Sequence, residues 1–316
     1  MKISVVVPVY GCKKALKELH IRIKKVVESL GLDYELILVN DACPEGSWEI
    51  IKEIANDDQK VIAINLSRNF GQYNAIAAGV DISYGDFLVV MDCDLQNKPE
   101  DIIKMYEKMT EGYDIVLARR KDRKDSFFRR RGSLFARKIL SYLTESKRDP
   151  FTCNFGLYKK VVVDSIKGMK EYARAFEKQI DWVGFNTATV DVEHAERENG
   201  KSSYTLSKLL KYAFDQMFSY SYKPLELSVF FGAAISISTF AYAFFIFAKA
   251  FLVGETVQGW SSMMVSIWFF SGLIILNLGI IGIYIGKILD EVKRRPPYVI
   301  KDILNNKEGS ESDRQF

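Results

Sequence analysis

Two long stretches near the C-terminal end almost lack charge, and they constrain this chain more than any other feature. Leu225–Ala248 holds one charged residue, Glu226, at its edge, and Thr256–Gly286 holds none. Each exceeds the roughly 20 residues an α-helix needs to cross a bilayer. A helix buried in a soluble core is rarely so uniformly apolar, so the pattern predicts transmembrane helices over 224–253 and 260–287. The loop between them, Lys249–Gly259, carries only Lys249 and Glu255, whereas Lys211, Lys223, Lys287, Lys293, Arg294 and Arg295 flank the pair. This asymmetry predicts a helical hairpin with both flanks on the cytoplasmic side. Met1-Lys2 leads directly into Ile3-Ser4-Val5-Val6-Val7, too short an apolar run for a secretory leader. The N-terminal part is therefore expected in the cytoplasm, and the protein in the cytoplasmic (inner) membrane. Residues 204–223, rich in Tyr and Phe, read as an amphipathic juxtamembrane helix, and 288–316 as a cytoplasmic tail with a disordered end.

The preceding 203 residues have a different grammar. Short β-branched runs at Ile3–Val9, Tyr34–Val39, Val61–Leu66, Phe87–Met91 and Ile115–Ala118 alternate with helical patterns at Lys13–Leu30, Ser47–Ala55, Gln72–Ile82 and Pro99–Thr110. Such alternation predicts an α/β domain, a mostly parallel Rossmann-like sheet covered by helices on both faces. Functional groups in these sheets gather beyond the carboxyl ends of the strands. Those ends here carry Tyr10, Asp41, Arg68-Asn69 and Asp92-Cys93-Asp94. Two carboxylates two residues apart at a strand end can share one hard divalent cation, Mg²⁺ or Mn²⁺, with substrate phosphates.

Other motifs exclude function classes. Gly200-Lys201-Ser202 imitates the tail of a phosphate-binding loop, but Ala195 stands where its first glycine is required. No G-x-G-x-x-G follows the first strand, which disfavours a dinucleotide dehydrogenase. His20 and His194 lack metal-like partners and read as structural or surface residues. Cys12, Cys43, Cys93 and Cys153 show no C-x-x-C spacing and read as four free thiols in a reducing compartment. The net charge of +4 gives no argument for nucleic acid. The basic run within 119–145, interleaved with Phe127, Phe128 and Phe135, is open to two readings: a solvated face, or a segment lying on an anionic membrane surface. Nucleic-acid binding is disfavoured because no recognition motif accompanies it.

The ordered series Val5-Val6-Val7-Pro8-Val9-Tyr10, Val39-Asn40-Asp41, Leu66-Ser67-Arg68-Asn69-Phe70-Gly71 and Met91-Asp92-Cys93-Asp94-Leu95-Gln96 resembles the family 2 glycosyltransferases of GT-A fold. More narrowly, it resembles the polyprenyl-phosphate hexosyltransferases, such as dolichol-phosphate mannose synthase and bacterial undecaprenyl-phosphate glucosyltransferases. Arg197–Tyr204, Ser221–Leu225 and Glu291–Pro296 extend the likeness, which spans about residues 3 to 298. The resemblance implies inverting transfer of a hexose or related sugar from a UDP- or GDP-linked donor to undecaprenyl or dolichyl phosphate on the cytoplasmic leaflet. It implies that Pro8, Val9, Tyr10, Asp41, Asp92 and Gln96 bind the nucleotide sugar, and that Asp92, Asp94 and Gln96 hold Mg²⁺ or Mn²⁺. It further implies that Arg197, Lys201, Arg131 and Ser203 meet the acceptor phosphate, with Asp94 and Arg197 catalytic.

Two positions depart from the family pattern. Asn40 replaces the first acid of an Asp-Asp pair, and Asn154 stands where the acceptor-side segment often has an Asp, leaving Asp149 as a fallback base. A phosphate monoester is already largely ionised at neutral pH, its second pKa lying near ~6. The loss of a base therefore favours a phosphate acceptor over a hydroxyl. Two other functions compete. A processive polysaccharide synthase would usually bring a Gln-x-x-Arg-Trp element, whereas Gln179-Ile180-Asp181-Trp182 lacks the Arg. A non-catalytic, membrane-tethered binder or scaffold would bind nucleotide without turnover. Homo-oligomerisation is compatible with either class. The sugar is not legible from sequence.

Overall fold

Ile3, Val5, Val6, Val7 and Val9 are all fully buried, because helices cover both faces of the strand they form. The computed structural model describes residues 1–120, 149, 151–169, 171, 174–193, 217–218, 221–253 and 259–306. In chain order the elements begin β1 (Lys2–Val9), a 3-10 turn (Lys13–Ala15), α1 (Leu16–Ser29), β2 (Asp33–Asn40), α2 (Ser47–Asp57), β3 (Val61–Leu66) and α3 (Gln72–Ile82). They continue with β4 (Phe87–Val90), α4 (Asp101–Thr110), β5 (Ile115–Arg120), β6 (Thr152–Lys159), α5 (Lys160–Lys167), α6 (Phe176–Val183) and β7 (Thr187–Val192). The last are α7 (Lys223–Val253), α8 (Trp260–Val292) and β8 (Ile300–Leu304).

The described strands form one eight-stranded sheet in the order β7-β5-β6-β4-β1-β2-β3-β8. β1 pairs in parallel with β2 and β4, β2 with β3, and β5 with β7. β6 runs against both β4 and β5, and β8 runs against β3. The sheet is thus mostly parallel and mixed. Alternation along each strand sends successive side chains to opposite faces. Val5, Val7 and Val9 join Leu16, Leu19, Ile23, Ile51, Ile102 and Met105 on one side. Val6, Ile37 and Val39 join Ala75, Ile76, Val162, Ile166, Phe176 and Ile180 on the other. Gly79 marks the closest approach of α3 to the sheet, where an added Cβ would lie 2.4 Å from Val6 Cγ1 and 3.2 Å from Val39 Cγ2.

The described residues fall into two compact units. One holds the sheet, its covering helices and the stretch from Arg294 onward. The other holds α7 and α8, which contain apolar windows at Lys223–Tyr242 and Ser266–Val292 that are long enough to cross a membrane. Neither window is buried inside the protein: Phe230, Phe240, Trp268, Ile275 and Leu278 are all exposed. Side chains of this size turned outward fit lipid better than water. Within this unit the Tyr284 hydroxyl donates to the Ser221 carbonyl at 2.7 Å.

Three features depart from the sequence reading. α8 continues to Val292, beyond the end at 287. The stretch read as a cytoplasmic tail contributes β8 to the sheet edge. It escaped notice because an edge strand with only its two end residues partly buried carries no apolar alternation. Cys12 and Cys93 form a disulfide, so the reading of four free thiols holds only for Cys43 and Cys153. The sheet places β1 beside β4, so the residues just beyond these strands meet with Cα atoms 6.1 Å apart, within the range a disulfide spans. Their separation of 81 residues offers no spacing signal. The juxtamembrane helix, over 204–223, lies outside the described residues apart from Met217, Phe218 and Ser221 to Lys223. The basic segment is described only at Arg119 and Arg120.

Candidate active site

β1 lies between β2 and β4, so the turns after these three strands share one edge of the sheet with the turn after β3. Tyr10 leaves β1 exposed, with 55% of its surface accessible, and can pack against a planar ligand. Pro8 and Val9 precede it on β1. Both are buried strand residues; the Val9 side chain sits in the core and its carbonyl accepts the Asp41 N–H at 3.1 Å.

Asp41 follows β2 and is 3% exposed. Its Oδ1 accepts the Phe70 N–H at 2.7 Å and its Oδ2 the Gly71 N–H at 3.0 Å. Burial pushes its carboxyl above the ordinary range, while these two N–H groups pull it back. Asp41 is therefore a tie between two loops of the site as well as an acidic group. Gly71 has φ +92°, a conformation in which a side chain would be strained, and α3 starts immediately after it.

The acid pair follows β4. Asp92 Oδ1 accepts a hydrogen bond from Gln72 Nε2 at 2.6 Å, so the first residue of α3 fixes one carboxylate oxygen. Asp94 Oδ1 accepts the Gln96 N–H at 3.2 Å, closing a turn across Leu95, whose φ is +58°. A bulky residue in left-handed geometry is strained, and strain of this kind collects where a loop is held for function. Cys93, between the two acids, is tied to Cys12 beside Tyr10. Mass spectrometry of alkylated, unreduced protein should yield a linked Cys12–Cys93 peptide with Cys43 and Cys153 alkylated. Alkylation of Cys12 would contradict the pairing.

Among the described residues no group of three or more His, Cys, Asp or Glu side chains forms a metal cage. The donor set still suits a hard cation. Mg²⁺ is commonly held by one or two carboxylates and completed by substrate phosphates.

β6 brings a second cluster to the same edge. Leu117 pairs with Gly156 and Arg119 with Thr152, so Ala118 faces three residues, Cys153, Asn154 and Phe155. Asn154 is the centre of this bulge, a device that re-aims side chains beside active sites. Asp149 is held by Arg119 Nε at 3.0 Å and accepts the Phe151 N–H at 3.0 Å. Cys153 Sγ lies 3.4 Å from the Ala118 carbonyl. Burial raises its thiol, Arg120 acts against that rise, and the nearby Asp92 adds to it. Asn97 is 2% exposed, and among the described residues its Nδ2 has no hydrogen-bond partner, nor does Arg120 Nε. Two orphaned donors close to the acid turn suit an anionic ligand.

Tyr10, Asp41, Asp92, Asp94, Gln96, Asp149 and Asn154 thus share one edge. Arg131, Arg197, Lys201 and Ser203 lie outside the described residues. Sequence reasoning missed Gln72, Asn97 and the Arg119–Asp149 pair.

Glycosyl transferase family 2 matches residues 4–169. The chain is 38% identical to YkcC, an uncharacterized glycosyltransferase of Bacillus subtilis (strain 168), over 94% of this chain and 93% of the relative. It is 32% identical to the undecaprenyl-phosphate 4-deoxy-4-formamido-L-arabinose transferase of Edwardsiella ictaluri, over 99% and 97% of the two chains. Its fold is similar to that of Mycobacterium tuberculosis glucosyl-3-phosphoglycerate synthase, with a TM-score of 0.50 and 18% identity over 69% of this chain and 76% of that one.

Proposed function

This chain belongs to glycosyl transferase family 2, and from that premise we propose that it moves a sugar from a nucleoside-diphosphate donor to a membrane polyprenyl phosphate, with inversion at the anomeric carbon. One observation carries the proposal. The Asp41 turn and the Asp92/Asp94 pair converge on one sheet edge in a chain that also holds two lipid-compatible helices. Similarity over nearly the whole length to a transferase named for undecaprenyl phosphate supports the acceptor class.

In this reading Asp92, Asp94 and Gln96 hold Mg²⁺ or Mn²⁺, which when bound neutralises charge on the departing diphosphate. Gln72 keeps Asp92 aimed, and the Asp41 turn with Tyr10 receives the nucleoside of a UDP- or GDP-linked donor. Arg131, Arg197, Lys201 and Ser203 position the acceptor phosphate, and Asn97 and Arg120 offer further donors to anionic groups. Asp149, the fallback base, is occupied by the Arg119 guanidinium and by the Phe151 N–H, so no step is assigned to it. The acceptor phosphate, ionised above its second pKa near ~6, makes the attack without a base.

The cytoplasmic placement draws support from the basic flanks and from β8. β1 to β7 precede α7 and β8 follows α8, yet all belong to one sheet, which supports a reading with both ends of the helix pair on one side of the bilayer. The proposed domain limits are 1–203 for the catalytic domain, 224–253 and 260–287 for the spans, with β8 returned to the catalytic domain.

The test is a donor panel. Purified full-length protein with Mn²⁺ should be stabilised by one nucleotide sugar above the others, since a ligand of the folded state raises its melting temperature. The same radiolabelled donor should then label polyprenyl phosphate with one sugar per lipid. Polymer would favour a processive synthase, and binding without transfer would favour a tethered scaffold; either result overturns the proposal.

A further inference from the structure

Three polar side chains on neighbouring strands form a single line across the sheet. Asp302 of β8 accepts from Asn65 Nδ2 at 2.9 Å, and Asn65 Oδ1 accepts from Asn40 Nδ2 at 2.8 Å. Asn40 Oδ1 then accepts the Cys43 N–H at 3.3 Å. Asn40 and Asn65 are 3% and 8% exposed. The line ends in a turn, Asn40-Asp41-Ala42-Cys43, that includes Ala42 at φ +48°. An asparagine accepting from a backbone N–H a few residues on is a common way to hold such a turn.

An amide can present either end to a neighbour, whereas an ionised carboxylate only accepts. Asp302 therefore removes the ambiguity of both amides. Asn65 must turn its NH₂ to Asp302, so its oxygen faces Asn40. Asn40 must then give its NH₂ to Asn65, which leaves its oxygen for the Cys43 N–H. Buried amides with one satisfied orientation are costly to invert, because inversion sets oxygen against oxygen. The polarity of the whole line is fixed from its far end.

We propose that Asp302, on the strand that follows the second long helix, is a positioning residue for the donor: through Asn65 and Asn40 it sets the turn that carries Asp41. This rests on the reading of that turn as the nucleoside contact. Asp302 does not touch the donor. Its effect reaches the ligand through the Asn40 oxygen, which closes the turn, and through Asp41, whose two oxygens order Phe70 and Gly71 beside it.

The line makes an unusual prediction about charge exchange. Asn40→Asp puts an acceptor at both ends of Asn65, whose single NH₂ cannot serve both. Asp302→Asn removes the group that sets the polarity. The double variant Asn40→Asp/Asp302→Asn restores a consistent line running the other way. The amide introduced at position 302 donates to Asn65, and Asn65 donates to the carboxylate introduced at position 40. That carboxylate still accepts the Cys43 N–H.

Full-length protein would be titrated with UDP and with GDP in the presence of Mn²⁺. Each single variant should weaken binding of the preferred nucleotide by about tenfold, the size of one lost charge-assisted hydrogen bond. The double variant should return to within about twofold of the original chain. In turnover assays the singles should raise the donor KM and leave kcat near its original value. Asn305→Ala is the structural comparison. Its Nδ2 pins β8 to the Ala55 and Val61 carbonyls at 2.6 and 3.0 Å, so it should lower the melting temperature and leave nucleotide affinity alone.

A double variant no better than the singles, or an Asp302→Asn protein that binds as the original does, overturns the proposal. Asp41→Ala separates this failure from a deeper one. If it too leaves nucleotide binding unchanged, the reading of the turn as the donor contact falls and the proposal falls with it. If Asp41→Ala weakens binding and Asp302→Asn does not, only the role of Asp302 is lost.

Discussion

Alanine at Asp94 should reduce sugar transfer by roughly 10²- to 10³-fold, the usual loss when one group that stabilises a developing charge is removed. The fold should survive, because the hydrogen bond to the Gln96 N–H that shapes the acid turn is local. Strand β4 and the buried residues around it, Val89, Val90 and Met91, are untouched by the change. Initial rates of lipid labelling across a Mn²⁺ titration would check this, alongside a thermal melt. A variant that melts like the original chain and keeps activity within tenfold would remove Asp94 from the proposed metal site. A variant with full activity restored by excess Mn²⁺ would show that Asp94 sets cation affinity and not the rate of the bound state.

Gly79→Ala should cost stability on a scale few single methyl groups reach. The new carbon would lie 2.4 Å from Val6 Cγ1, on the central strand of the sheet, and 3.2 Å from Val39 Cγ2. Both valines are fully buried and, being branched at Cβ, have few alternative rotamers. The clash must be relieved by lifting α3 from the sheet, and overpacking of this kind costs about 1–3 kcal/mol. For a domain of this size that corresponds to a melting temperature lower by roughly 3–10 °C. The displacement should also reach the site, because α3 begins at Gln72, which holds Asp92, directly after Gly71, which Asp41 holds. Thermal inactivation and nucleotide affinity measured on the same preparation would test both effects. An unchanged melting temperature would mean that α3 can slide freely over β1.

Much of this arrangement is legible in the sequence where burial is symmetric. β1 to β5 are apolar runs because helices cover both their faces, and such runs stand out without knowledge of their neighbours. The acid pair is legible for a related reason: a charged pair directly after an apolar run marks a strand end. β6, β7 and β8 are harder to read. β6 contains Thr152, Asn154 and Gly156, because part of it is a bulge facing the site. β7 is an edge strand with alternating exposure, and β8 closes the opposite edge with mostly exposed residues. Gln72 carries no local signal, since an amide at a helix start is ordinary until the β4 turn is placed beside it. The Cys12–Cys93 pair and the Asp302–Asn65–Asn40 line are likewise products of strand order, which no window of sequence contains.

β8 also sets an order of events during biosynthesis. Asn65 and Asp302 are separated by 237 residues, and the two membrane-type helices are made between them. While the ribosome works through that interval, β3 is the outer strand of an open sheet, with unpaired N–H and C=O groups along its edge. That edge is paired only once the last strand has been made. A nascent chain that stalls before Ile300 would keep a sticky strand exposed and be a substrate for chaperones or proteases. Completion of the catalytic sheet thereby waits for the synthesis of both apolar helices, and only a chain made as far as β8 covers the β3 edge.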